Sequence, residues 1–229
     1  MNKLIKNRGL LLSLGSLAVF SSCAQQQPRE AKKPNIVFIF ADDMGYGDVS
    51  ALNENSKIKT TNIDRIANEG VIFTDAHSSS SVSTPSRYSV LTGRYNWRSD
   101  LKSGVLMGYN KALIAPDRRT IASVLKDQGY QTACIGKWHL GWDWNNIEAG
   151  PDSVDFSKPI SNGPTTRGFD YFYGIIASLD MAPYVYVEND MPTALPDRVT
   201  VNDGMKYWRK GPTASDFDHE QTLPNFINR

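Results

Sequence analysis

Asn35 to Ala41 reads Asn-Ile-Val-Phe-Ile-Phe-Ala, a continuous apolar run rich in β-branched and aromatic side chains. Such a run suits a strand covered on both faces, as in the interior of a parallel sheet. Val71-Ile72-Phe73 and Tyr130 to Ile135 repeat the signal. Helix-type segments separate these runs. Ile63 to Asn68 has Asn62 as a possible cap and Gly70 near its end, Pro85 to Leu91 follows, and Thr120 to Gln128 carries apolar residues at Ile121, Val124 and Leu125 before Gly129. Strands alternating with helices predict an α/β architecture with helices packed on a sheet. From Gly141 onward only Ile175-Ile176 and Val185-Tyr186-Val187 look strand-like. An irregular stretch of that length either carries function or finds its partners elsewhere.

The first residues read as an export signal. Lys3, Lys6 and Arg8 precede Leu10 to Phe20, an apolar run too short to span a bilayer as a helix, and small residues follow up to Cys23. Phe20-Ser21-Ser22-Cys23 is similar to a bacterial lipobox, which implies cleavage before Cys23 and lipidation of its thiol; ordinary signal cleavage nearby is the alternative. The expected organisation is a signal peptide at 1–22, a lipidated tether at 23–33 and a domain at 34–229, in an exported protein of the bacterial periplasm or outer membrane. Without residues 1–22 the chain has 22 basic and 24 acidic residues. That near-neutral balance offers no nucleic-acid footprint. With Cys23 lipidated only Cys134 remains, so no internal disulfide forms, and its apolar surroundings predict a buried thiol.

Three stretches carry candidate chemistry. Asp42 and Asp43 lie just past the carboxyl end of the first apolar run, where open α/β sheets bind ligands. Adjacent carboxylates repel unless a cation shares them, and hard oxygens suit Ca²⁺ or Mg²⁺; a solvated turn or helix cap is the plainer reading. In Ser83-Thr84-Pro85-Ser86-Arg87, Thr84 can cap a helix and Pro85 suits its first turn, which leaves Ser83 at the anion-favouring end. Taken alone, that is a capped helix without chemistry. Lys137 and His139 follow the third run, and strand alternation would put both on one side; taken alone, a solvated lysine and a backbone-satisfied histidine are the plainer reading.

Read together, these stretches resemble the signatures of type I, formylglycine-dependent sulfatases of the alkaline phosphatase superfamily. Ser83 to Arg94 is similar to the family element Cys/Ser-x-Pro-Ser-Arg-x-x-x-Leu-Thr-Gly-Arg, Ala41 to Asp48 to its Ala-Asp-Asp-x-Gly-Tyr-Gly-Asp, and Gly129 to Gly141 to its Gly-Tyr-x-Thr-x-x-x-Gly-Lys-Trp-His-Leu-Gly. Gly163 to Gly174 also looks like a family element, Arg-Gly-Phe-Asp-x-x-x-Gly, and Ser178 to Met181 follows where substrate-side residues often lie. The resemblance implies an alkaline-phosphatase-like fold with a central mixed, mostly parallel sheet flanked by helices. It implies that Ser83 is oxidised to 3-oxoalanine (formylglycine) by a serine-type sulfatase-maturating enzyme, and that its hydrate attacks sulfur. Asp42, Asp43 and the converted Ser83 would ligate Ca²⁺, or less favourably Mg²⁺. Arg87 would hold that geometry, Lys137 would contact a sulfate oxygen, and His139 would take a proton as sulfate departs. Asp48 matches the pattern without gaining a catalytic role.

The implied activity is hydrolysis of a sulfated carbohydrate or aryl sulfate, with a membrane association through the lipid anchor. Trp142, Trp144, Tyr171, Phe172, Tyr173, Tyr184 and Tyr186 would either stack on sugar rings or pack a core. The family's later Asp-Asn pair, histidine and lysine have no match before Arg229, and His219 looks like part of a surface helix start. The chain therefore reads as an N-terminal portion, incomplete at the C-terminus and inactive alone, since Ca²⁺ takes 6–8 oxygens. A phosphatase or phosphonate hydrolase of the same superfamily, or a lipoprotein that binds sulfated glycans without turnover, are the competing readings.

Overall fold

The computed structural model describes residues 32–202 and 208–229. The signal segment, Cys23 and most of the tether lie outside them. The sheet that carries the site pairs β1 (Ala133–Lys137) in parallel with β2 (Tyr171–Ile175). Short antiparallel partners β3 (Val187–Glu188) and β4 (Met191–Pro192) complete the order β1-β2-β3-β4. Strands β5 (Pro196–Thr200) and β6 (Gly211–Ala214) form a separate antiparallel pair. The helices are α1 (Thr61–Glu69), α2 (Ser83–Thr92), α3 (Ile121–Asp127) and α4 (Thr222–Ile227). The sheet is thus mixed and flanked by helices, as expected, but among the described residues its parallel part is the single β1–β2 pairing.

β2 separates two clusters. Phe172 joins Trp138, Leu140, Trp142, Trp144, Ile176 and Val187 on one side. Tyr173 and Ile175 join Tyr184, Val185, Tyr186 and Phe217 on the other. Alternation along a strand accounts for the division. The rings meet edge to face, as Trp142 does with Phe172 and Trp144, in the geometry that the aromatic quadrupole favours. Of the seven aromatic residues weighed as sugar-stacking surfaces, six are buried core and Tyr171 is half-buried, donating its hydroxyl to Glu188. Burial excludes sugar stacking for the six core rings. Cys134 packs partly buried beside the first cluster, and burial pushes its thiol up to about 12.

Two expected strands do not form. Residues 32–40 have no regular structure and leave Val37 and Ile39 about four-fifths exposed. Val71-Ile72-Phe73 is likewise irregular and exposed. A strand apolar on both faces is stable only with ladder neighbours and covered faces, which side-chain composition alone does not supply. Tertiary context also moves helix ends. α1 starts at Thr61 after Thr60, so Asn62 is not its cap. Ile121 and Val124 of α3 are exposed while Ala122 is buried, and Thr120 caps that helix by accepting from the Ser123 amide at 3.1 Å.

The Arg-Gly-Phe-Asp element proves to be a joint between α3 and β2. Arg167 is buried and donates to the Ile114 carbonyl at 2.9 Å, while its own carbonyl accepts from Thr120 Oγ1 at 2.6 Å. Asp170 accepts from the Thr132 amide at 2.9 Å. Gly168 between them has φ +99°, and a Cβ there would lie 2.4 Å from the Ser123 nitrogen. His219 is not a surface helix start. It stacks on Trp208 with ring centroids 3.7 Å apart and leans on Tyr184 and Phe217.

Candidate active site

α2 brings Ser83 and Arg87 together by its own pitch. Residues four apart lie on one face, so Arg87 Nε donates to Ser83 Oγ at 2.8 Å. The helix begins two residues earlier than Thr84 capping would require. Val82 is the extended residue before it, Ser83 is its first residue, and Pro85 occupies the first turn, where no N–H is needed. Gly93 ends it at φ +65°. Thr84 is fully buried and does not cap; its hydroxyl donates to the His139 carbonyl at 2.9 Å and accepts from the Leu106 amide at 3.1 Å.

β1 delivers the other two groups. Its ladder to β2 continues past Lys137 through the Trp138 and His139 amides, which donate to the Ile175 and Ile176 carbonyls at 2.9 and 2.7 Å. Alternation does not carry to His139, because its φ is +55°. Left-handed backbone at a non-glycine residue persists only where its surroundings hold it, and it concentrates at functional sites. Lys137 and His139 nevertheless converge. Lys137 Nζ reaches Asp42 Oδ2 at 2.7 Å and Ser178 Oγ at 3.4 Å, and His139 Nδ1 lies 2.9 Å from Ser83 Oγ.

Asp42 links the two cations. Arg87 Nη2 donates to its Oδ1 at 3.1 Å, opposite Lys137 on Oδ2, and Arg87 Nη1 donates to the Lys137 carbonyl at 2.5 Å. Burial alone would raise the Asp42 carboxyl, but bonds and charge from Lys137 and then Arg87 hold it below the usual carboxylate range. His139 is 2 % exposed. Its burial, reinforced by the Lys137 charge, pushes it down to about 4 against the opposing Leu106 bond. The imidazole is therefore neutral at neutral pH. Its Nε2 faces the Leu106 carbonyl at 2.7 Å, and a carbonyl only accepts, so the proton sits on Nε2 and Nδ1 is the acceptor. Ser83 Oγ then donates to His139 and accepts from Arg87.

The structure thus brings Asp42, Ser83, Arg87, Lys137 and His139 into one hydrogen-bonded cluster. Asp43 adjoins it in a left-handed turn (φ +54°), and its carboxylate has no hydrogen bond or ion pair among the described residues. Asp48 is occupied elsewhere, accepting from the Gly45 amide at 2.9 Å. Asp42, Asp43 and the residue-83 oxygen suit a hard dication in kind. They fall short in number, with no group of three or more acidic, histidine or cysteine ligands among the described residues. Thr84 and the Leu106 backbone are the components that motif reading missed. Thr84 was legible only as a cap, and a backbone amide and carbonyl leave no sequence signal.

The α/β fold sets a hydroxyl between a neutral histidine and an arginine, beside a lysine and paired carboxylates, an arrangement suited to activating that hydroxyl next to an anionic group. The comparisons give the family. The chain belongs to the sulfatase family, whose pattern it matches over residues 34–219. It is 40% identical over 200 residues to the N-acetylgalactosamine-6-O-sulfatase of Bacteroides thetaiotaomicron, covering 84% of this chain and 37% of that one. It is 38% identical to human arylsulfatase A over 177 residues, 77% of this chain and 30% of the relative. A solved structure from work on the metabolism of multiple glycosaminoglycans by Bacteroides thetaiotaomicron superposes with a TM-score of 0.72 at 32% identity, covering 86% of this chain and 47% of the other. The chain spans less than half the length of each of these relatives.

Proposed function

We propose that the protein contributes the nucleophile side of a sulfuric ester hydrolase acting on a sulfated carbohydrate. The observation that carries this reading is the three-way contact at residue 83, where one side-chain oxygen meets Arg87 Nε and His139 Nδ1. An unmodified serine is a weak nucleophile at its free pKa. Conversion to formylglycine would supply a hydrated aldehyde, one hydroxyl of which would attack sulfur and break its bond to the ester oxygen, releasing the alcohol. His139, neutral and with Nδ1 free to accept, would take a proton from the other hydroxyl of the hydrate, whose oxygen becomes the aldehyde carbonyl as the bond from the residue-83 carbon to the sulfate-bearing oxygen breaks and sulfate leaves. Arg87 would fix the oxygen's position, and Lys137 would neutralise sulfate charge. Asp42 and Asp43 would hold a calcium ion, which supplies further charge neutralisation at the sulfate oxygens. The carbohydrate preference is supported by the relatives named for N-acetylgalactosamine-6-sulfate and for glycosaminoglycan metabolism. Export and a Cys23 lipid anchor, which would give access to external glycans, remain part of the proposal.

The test is the mass of the tryptic peptide Ile66–Arg87 from protein made in its native host. The expected result is a loss of two hydrogens relative to serine. An unaltered mass would remove the proposed nucleophile. Paired rates on sulfate and phosphate esters of one alcohol then separate the sulfatase reading from a phosphatase one, and glycan retention with unmodified Ser83 would favour binding without turnover.

A further inference from the structure

Thr84 follows the candidate nucleophile directly but points away from it, and no step assigned to the site uses it. Its hydroxyl is fully buried, so both of its hydrogen bonds exist for a structural purpose. Those bonds close a ring. His139 Nε2–H donates to the Leu106 carbonyl (2.7 Å), the Leu106 amide donates to Thr84 Oγ1 (3.1 Å), and Thr84 Oγ1–H donates to the His139 carbonyl (2.9 Å). Each member has one orientation available to it. The carbonyls can only accept and the amide can only donate, so the threonine hydroxyl must accept from one and donate to the other.

We propose that Thr84 is a positioning residue that selects the tautomer and the strained backbone of His139. By holding the His139 carbonyl it maintains the φ of +55°, and by holding the Leu106 amide it presents the neighbouring carbonyl to Nε2. The consequence is that Nδ1, not Nε2, carries the lone pair that faces residue 83. The other ring tautomer would place two donors against that oxygen, Arg87 Nε–H and His139 Nδ1–H, and would leave Nε2 and the Leu106 oxygen as two facing acceptors. The importance of this selection rests on the reading of residue 83 as the nucleophile position, but the selection itself does not.

Nitrogen-15 NMR of the imidazoles in the full chain tests it, with unmodified Ser83 and no metal added. The protein has three histidines, so His77→Gln and His219→Gln variants assign the His139 signals. Wild-type His139 is expected to show a protonated Nε2 and an unprotonated Nδ1. Thr84→Val, which keeps the shape and removes the hydroxyl, should broaden or mix the two tautomers, and Thr84→Ser should restore the wild-type pattern. A wild-type His139 protonated on Nδ1 would overturn the proposal without any variant. So would a folded Thr84→Val protein whose His139 signals match wild type. If the valine variant does not fold, Thr84→Ala in the same experiment replaces it, read by the same criterion. None of these readouts depends on sulfatase activity, so failure of the tautomer prediction and failure of the catalytic reading are distinguishable.

Discussion

Arg87 is the residue whose removal should disturb the candidate site most. Its guanidinium makes three directed bonds at once: to Ser83 Oγ, to the Lys137 carbonyl and to Asp42. Arg87→Met removes all three. Ser83 Oγ keeps His139, so its loss is small. The Lys137 carbonyl loses a charged donor at 2.5 Å in a half-buried place, which costs about 1–3 kcal/mol. Asp42 keeps Lys137 and is 39% exposed, so solvent screening limits its share to about 0.5–1 kcal/mol. The expected cost is therefore about 2–4 kcal/mol. Arg87→Lys keeps the charge but cannot reproduce a fork that serves three acceptors in three directions, so it should recover no more than about 1 kcal/mol of that loss. Urea unfolding of the wild type, both variants and the Asp42→Asn double mutants gives these numbers, with a coupling of about 1 kcal/mol expected between positions 42 and 87. An Arg87→Lys protein as stable as wild type, or additive effects at 42 and 87, would show that the cluster is a surface ion pair and not a fixed frame.

Two further outcomes follow from the same contacts. The folded-state pKa of His139 is depressed to about 4, below the usual 6.5, so its contribution is complete above about pH 6.5 and is lost as pH falls from there to about 4. At about 1.4 kcal/mol per unit the full effect is about 3 kcal/mol, undiminished by solvent because the ring is buried. Urea unfolding at pH 7 and pH 4 of wild type and His139→Gln, both with unmodified Ser83, should show the stability gap moving against wild type at the lower pH; an equal gap at both would contradict the buried neutral ring. Gly168→Ala should destabilise the fold by about 2 kcal/mol or more, since the new Cβ meets the Ser123 nitrogen at 2.4 Å in a left-handed backbone. A thermal midpoint within a degree of wild type would contradict that close approach.

What the sequence made legible was local. The Ser83 and Arg87 spacing of four is a helix neighbour relation, and one turn of α2 realises it without help from the rest of the molecule. Lys137 and His139 were legible as a pair for a partly mistaken reason: alternation was expected to align them, whereas a left-handed His139 does so after the strand has ended. The aromatic residues at 142, 144, 172, 173, 184 and 186 were ambiguous because large rings serve sugars and cores alike, and only their burial decides. The runs at 35–41 and 71–73 were read as strands on side-chain composition, which records that a segment needs covering but not which residues cover it. Thr84 illustrates the same limit at the site. A threonine before proline signals a cap, and the backbone groups of Leu106 and His139 that it ties carry no signature in the one-dimensional code.

The charges of the cluster set a condition on any anionic substrate. Arg87 and Lys137 bring two positive charges, Asp42 and Asp43 two negative ones, and His139 is neutral, so the group has no net charge with which to attract a sulfate ester. Both cations are moreover engaged by one carboxylate, with Lys137 Nζ only 2.7 Å from Asp42. Under the proposed function, Lys137 can turn to a sulfate oxygen only when Asp42 is satisfied by something else. Asp42 and Asp43 would meet that condition by holding a hard dication, which would supply positive charge at the site. Arg87 need not move in that exchange: its bonds to Ser83 and to the Lys137 carbonyl do not involve Asp42. By holding an ion, the carboxylate pair would leave Lys137 to the substrate.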